Sequence, residues 1–267
     1  MTALFEKKPR LSCGIFVHGA VVAAIALAAP CSAAVIVSDP FSGSSTVDLH
    51  GTQAVMDQGV LDAGGSATWT ANTAFNTDGS IAFQSGSGLA RLALGSYIWD
   101  ARGSENGLFT LTSTISIASG TWISVGFFHT EAATSTYFSN GSPGPGMSTA
   151  LLRSTNAVNY YGGKGINQSS TPGSATGAVT FTISLDLRSW NGTTNFGTVT
   201  FSNDKVGDPK AVILTDDGGV NPFLYVGFSG ISSPNGTISN FSLSQVPEPS
   251  TLFILSLLPL LGLCRRR

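Results

Sequence analysis

The chain is 267 residues long, carries a net charge of −2 and is charged at only 10% of its positions. Seven basic and thirteen acidic residues lie between 34 and 246, a net −6 there, so no basic surface can neutralise a phosphate backbone and nucleic acid is excluded as a partner. The three cysteines, Cys13, Cys31 and Cys264, all lie in the terminal segments, which leaves the middle of the chain without disulfides or thiolate chemistry.

At the N-terminus, Lys7, Lys8 and Arg10 precede an apolar, small-residue stretch over 14–29 and then Ser32-Ala33-Ala34. A basic head, a short apolar run and small residues predict a secretory signal peptide over 1–34, handled by the Sec translocon and cut after Ala33 or Ala34. Lipidation of Cys31 is disfavoured because Pro30 stands where such a site needs Gly or Ala.

From 35 to 244 the dominant hydrophobic period is two. Val179, Phe181, Ile183, Leu185 and Leu187 alternate with Thr180, Thr182, Ser184, Asp186 and Arg188, giving one face for a core and one for water. Phe109, Leu111, Ile115 and Ile117 repeat the pattern, as do Val199 and Phe201. Further strands are expected over 35–38, 66–75, 81–84, 121–129, 157–161, 223–229 and 237–243, with Trp69 and Trp122 as core residues. Clusters of Gly, Ser, Asn, Asp and Pro between them supply turns, and Asn191-Gly192 is the clearest hairpin signal. Residues 139–146 and 162–177 read as long loops. No segment of helical length carries a 3.6-residue stripe. An all-β, two-sheet antiparallel sandwich is expected over 35–244, flanked by an N-terminal signal helix and a C-terminal hydrophobic helix.

Residues 245–267 read differently. Pro247-Glu248-Pro249 is followed by an apolar run over 252–263 and then Arg265, Arg266 and Arg267. The prolines keep the tripeptide extended and short of backbone donors; the apolar run enters lipid while the arginines hold the cytoplasmic side. Twelve helical residues span roughly 18 Å, less than the roughly 30 Å hydrocarbon core, and Thr251, Cys264 and snorkelling arginines are expected to make up some of the difference. With basic residues at both ends, the precursor is expected to cross the inner membrane as a hairpin.

This arrangement resembles the PEP-CTERM sorting signal of Gram-negative bacteria. The resemblance implies exosortase, a membrane-embedded transpeptidase-like enzyme, as a partner. It also implies cleavage near Pro247–Pro249 and delivery to the cell surface or extracellular matrix, with genes that often lie beside those for exopolysaccharide. The middle of the chain resembles the concanavalin-like (laminin-G-like) jelly roll. That likeness is carried by the first strand at Val35 to Phe41, by Tyr225-Val226-Gly227-Phe228, and by the alternating stretch from Gly236 to Leu243. It implies first and last strands side by side, with the tail leaving from the sheet edge.

Jelly rolls host glycosidases, which need two carboxyl groups about 5–9.5 Å apart. Members of the laminarinase type carry a Glu-x-Asp-x-Glu cluster on one strand, whereas between 34 and 246 only Glu105 and Glu131 are glutamates. Asp100 with Glu105, brought together by a turn at Gly103, is the one pair to weigh for a divergent polysaccharide hydrolase or lyase. His50 and His129 have no Gly-x-Ser-x-Gly elbow to serve, and without cysteine they do not make a closed zinc site. Asp216 and Asp217 on a turn offer oxygens to calcium, the basis of a calcium-dependent lectin reading, although Asx-rich turns also close hairpins unaided. Tyr97, Trp99, Tyr137, Tyr160, Tyr161 and Trp190 sit near turns, where aromatic faces can stack on sugar rings. Core packing is the competing role for each. The expectation is therefore an exported, exosortase-processed, non-catalytic surface or matrix protein, adhesive or exopolysaccharide-associated, with no required cofactor.

Overall fold

Strands β8 (Leu108–Ser119) and β13 (Val179–Asp186) show why this sequence forms sheets. In β13, Val179, Phe181, Ile183 and Leu185 are buried while the residues between them are partly exposed. In β8 the buried positions are Phe109, Leu111, Ser113 and Ile115. The antiparallel register sets Ile183 opposite Leu111 and Leu185 opposite Phe109, so the two apolar rows coincide. A slip of one residue would turn both rows to water, which fixes the pairing. On the outer side, Thr114 bonds Thr180 at 3.0 Å, a cross-strand pair of the kind that supports a solvated face.

The computed structural model describes residues 33–41, 47–56, 68–71, 75–77, 81–83, 88–120, 122–128, 147–163, 170–214, 223–231 and 235–246. They fall within one compact unit, Ala33–Pro247. The signal helix expected over 1–34, save its last two residues, and the C-terminal helix lie outside the described residues. So do Glu131, His129, Tyr137, Asp216, Asp217, Pro247, Glu248, Pro249 and Arg265–Arg267.

Two antiparallel sheets are present. The first runs β15 (Lys210–Ile213), β14 (Thr198–Asn203), β13, β8, β17 (Asn235–Gln245), β6 (Ile81–Phe83), β5 (Phe75–Thr77) and β2 (Val47–Asp48). In the same sheet β1 (Ala34–Asp39) also pairs with β17, and β3 (Val55–Met56) with β1. The second runs β12 (Ser170–Ser174), β11 (Ala157–Gly163), β10 (Met147–Arg153), β9 (Trp122–Phe128), β16 (Tyr225–Ile231), β7 (Gly88–Ala93) and β4 (Thr70–Ala71). The single helix among the described residues is one turn, α1 (Tyr97–Asp100).

First and last strands are neighbours, as the jelly-roll likeness implies: Ala34 faces Gln245 and Asp39 faces Phe241. The tail nonetheless does not leave from an edge. β17 is held by β8 on one side and by β6 and then β1 on the other. The hand-over falls at a register shift between Ser239 and Ser242, where Asn240 takes φ 54°. A bulge with a left-handed residue bends one strand so that it can serve two successive partners.

Between the sheets an aromatic cluster packs Trp69 against Phe41, Phe228 and Phe241 at centroid distances of 5.8, 5.3 and 5.2 Å. Its polar pin is Asp39, which accepts hydrogen bonds from Trp69 Nε1 and the Phe41 amide, each at 2.7 Å. Burial pushes the Asp39 carboxyl above its ordinary value, and the two hydrogen bonds only partly pull it back. Strand β9 departs from simple alternation, with all seven residues buried. Ile123, Val125 and Phe127 join the inter-sheet core, while Trp122 and Phe128 join a second cluster with Leu151, Tyr161 and Tyr225. Trp69 and Trp122 are thus both buried, in different clusters.

Candidate functional site

Two of the aromatic residues singled out from the sequence, Trp99 and Trp190, meet at one end of the sandwich, on two loops that clamp each other. The loop from Gly95 to Gly107 leads into β8, and the loop from Leu187 to Gly197 joins β13 to β14. Gly103 donates its amide to Leu187 O and Leu187 donates back to Gly107 O, both at 2.8 Å. Glycine is needed at Gly107, because a Cβ there would meet Ala101 O at 2.9 Å and the Arg188 amide at 3.1 Å. This pairing sets Trp99 edge-on against Trp190 at 4.9 Å and 74°. Trp190 in turn meets the edge of Phe196 at 5.0 Å, which ties the pair to the core.

Around the tryptophans the groups are polar. Arg102 places its guanidinium 4.3 Å from the Trp99 ring centre and donates to Trp99 O at 2.7 Å, a cation–π contact that leaves donors for a ligand. Asn191 Oδ1 accepts from the amides of Thr193, Thr194 and Asn195 at 2.9–3.0 Å, so the Asn191-Gly192 turn is shaped by a side chain as well as by its backbone. Trp99 and Trp190 are both half-buried. The patch sets two tryptophan rings beside a guanidinium and a polar turn.

Tyr97 shares α1 but points elsewhere. Its ring packs edge-on to Phe109 at 6.0 Å, and its hydroxyl donates to Gln245 Oε1 at 2.6 Å. Tyr160 and Tyr161 lie mid-strand in β11 rather than at a turn. Tyr160 is fully buried, stacked on Phe201 at 5.1 Å, with its hydroxyl accepting from Asn203 Nδ2. Burial raises its phenol above the ordinary value and the Asn203 bond works in the opposite direction. That ring is core. Tyr161 belongs to the second cluster on the other face of the sheet, within reach of Arg153 at 3.4 Å. Neither joins Trp99 and Trp190.

Asp100 and Glu105 sit on the same loop as Trp99, and both are exposed. Asp100 accepts a short hydrogen bond from the Ser96 hydroxyl. His50 is exposed and accepts from the Ala71 amide at 3.2 Å. Among the described residues no three His, Cys, Asp or Glu side chains gather to hold a metal ion.

Residues that the sequence did not single out hold the chain where the tail begins. Gln245 Nε2 donates to Asn106 O at 2.7 Å, and the Val246 amide donates to Leu108 O at 2.9 Å. The loop that carries Trp99 and Arg102 therefore also grips the end of β17. The only signal available was the position of Gln245, two residues before the first proline.

The strand pairing above is what establishes the sandwich, and solved structures resemble it loosely. A Trypanosoma rangeli sialidase in complex with the inhibitor DANA aligns at a TM-score of 0.49 and 14% identity over 92% of this chain and 38% of its own. An alginate lyase bound to an alginate tetrasaccharide aligns at 0.44 and 12%, over 80% of this chain and 99% of its own. The SPRY domain of human HERC1 aligns at 0.35 and 17%, over 61% and 87%. The chain thus spans little more than a third of the sialidase's length. No curated protein matches it in sequence. Residues 245–267 match the PEP-CTERM protein-sorting motif, and that motif marks the chain as an exported, cell-surface substrate of exosortase in a Gram-negative bacterium.

Proposed function

We propose that the mature chain is a non-catalytic, adhesive or structural component of the extracellular polysaccharide layer, built on a concanavalin-like jelly roll and contacting glycan through its loop end. The observation that carries this reading is the convergence of Trp99, Trp190 and Arg102, 91 residues apart in sequence at the extremes, on two mutually clamped loops. The pairing of β1 with β17 supports the finer fold reading. A polysaccharide hydrolase or lyase acting through Asp100 and Glu105 has less support. Two exposed carboxylates on a short polar loop, one already accepting from Ser96, resemble solvated loop residues more than a dry acid–base pair.

The test is retention of the secreted chain on neutral and acidic polysaccharides, together with a reducing-end assay over long incubation. Binding without new reducing ends is expected, and Trp99→Ala should weaken it about 2- to 10-fold through the loss of an aromatic contact. Release of oligosaccharide that disappears in Asp100→Asn or Glu105→Gln would refute the non-catalytic reading. Undiminished binding by Trp99→Ala would remove the loop end as the contact surface.

A further inference from the structure

Strand ends open first, because their last hydrogen bonds have support on one side only. At the end of β17 the fold supplies extra support. Gln245 pairs with Phe109 in the β8 ladder and with Ala34 across β1. Its side-chain amide is held at both atoms, Oε1 by the Tyr97 hydroxyl at 2.6 Å and Nε2 on Asn106 O at 2.7 Å. The Val246 amide is still bonded, to Leu108 O. The next residue is Pro247, which has no amide hydrogen to continue the ladder. The last hydrogen-bonded residue among the described residues therefore adjoins, in sequence, the first residue of the sorting tripeptide.

From this geometry we infer that Tyr97, Gln245 and Asn106 form a staple that positions the sorting motif and sets how fast exosortase processes it. An enzyme embedded in the membrane must fit the tripeptide into its own cleft. A bulky sandwich beginning one residue upstream obstructs that fit unless the end of β17 peels away. Each residue released adds about 3.3 Å of free chain, so releasing Gln245 and Val246 gives roughly 7 Å. Opening the staple becomes part of the path to cleavage, and the open fraction scales the rate. Tyr97 and Gln245 act here as positioning residues; neither takes part in the bond breaking. The inference rests on exosortase processing of this chain.

Two variants separate the staple from folding. Tyr97→Phe keeps the ring against Phe109 and removes one hydrogen bond, and Gln245→Ala removes two. Loss of one such bond should raise the opening of the strand end about 2- to 10-fold. Hydrogen exchange on the full-length precursor should show that increase at Gln245 and Val246 and leave the β13 amides unchanged. Pulse–chase in cells with exosortase should show the precursor losing its tail faster by a similar factor. A Gly-Ser-Gly-Ser insertion between Val246 and Pro247 supplies the slack directly, so it should accelerate processing alone and abolish any further gain from Tyr97→Phe. Faster exchange without faster processing, or equal gains from Tyr97→Phe with and without the insertion, would overturn the staple as the positioning device. A wild-type chain that never loses its tail would overturn the staple and exosortase processing together.

Discussion

Replacing Trp69 by Phe isolates the pin beneath the aromatic cluster. The phenyl ring keeps its place among Phe41, Phe228 and Phe241, but the Nε1–H that Asp39 Oδ2 accepts at 2.7 Å is gone. Where the carboxyl is ionised the loss is a hydrogen bond to a charged group, worth about 1.5–3 kcal/mol. The smaller ring forfeits a further ~1 kcal/mol of burial, taking roughly 40 Å² at 25 cal/mol per Å². Below about pH 3.9 the carboxyl is protonated in folded and unfolded chains alike. The bond removed is then a neutral one of about 0.5–1.5 kcal/mol. The sign follows from burial. Because the folded Asp39 titrates above its ordinary value, its stabilising contribution is complete below the unfolded value and is lost as pH rises through the folded one. Without the Trp69 bond, which lowers that value, the loss is larger. The gap in unfolding free energy between wild type and Trp69→Phe should therefore widen by about 1–1.5 kcal/mol from pH 3 to pH 7. In melting temperature that is about 2–6 °C for a domain of this size. Urea unfolding of both chains at the two pH values measures it, and carboxylates shared by the two chains cancel in the difference. A gap that does not change with pH would refute the assignment of Asp39 as the partner that matters.

Two other expectations concern backbone crowding and a surface ion pair. Gly126 in β9 lies beside β10, opposite Thr149, where an added Cβ would collide with the Ser148 carbonyl and the Thr149 Cα; Gly126→Ala should cost about 3 kcal/mol, the upper end of overpacking. Gly177, at φ +78° with open space around it, should cost only about 1 kcal/mol as Ala, from left-handed strain alone. Denaturation midpoints that rank the two the other way would refute the close pairing of β10 with β9 at Gly126. Arg188 holds the Asp186 carboxyl below its ordinary value, chiefly through hydrogen bonds from the guanidinium at 2.7 and 3.0 Å. That contribution is present above the unfolded value and lost as pH falls through the folded one. With both side chains about a third exposed, Arg188→Ala should cost less than about 1 kcal/mol near pH 7, and progressively less as pH falls, by the same urea assay.

What could be read from the sequence follows from what each residue reports. Strands β8, β13 and β14 were legible because each keeps one face dry and one wet, and Thr and Ser mark the wet face at every second position. Strand β10 was not legible: Leu151 and Leu152 are adjacent and both buried, on opposite faces, so period two vanishes. In β7 burial alternates regularly, but two of the three inward positions are Gly88 and Ala90, whose small side chains give no hydrophobic signal. Tyr160 misled for a related reason. The glycine two residues on suggested a turn, whereas Gly162 is a mid-sheet position where a Cβ would strike Val199 at 2.8 Å.

The loop end illustrates a different kind of limit. Trp99 and Trp190 each gave a signal, but their meeting depends on two backbone hydrogen bonds between Gly103, Gly107 and Leu187, a decision made by tertiary closure. Gln245 gave no signal beyond its place two residues before Pro247, since a glutamine at a strand end is chemically ordinary until Tyr97 and Asn106 arrive beside it. Burial is imposed on every residue of a strand, so it leaves a periodic record; a clamp involves three residues once, and leaves none. The sorting tail is the opposite extreme. Its parts follow one another in the sequence and answer to lipid and to an enzyme outside the fold, so connectivity alone carries the message.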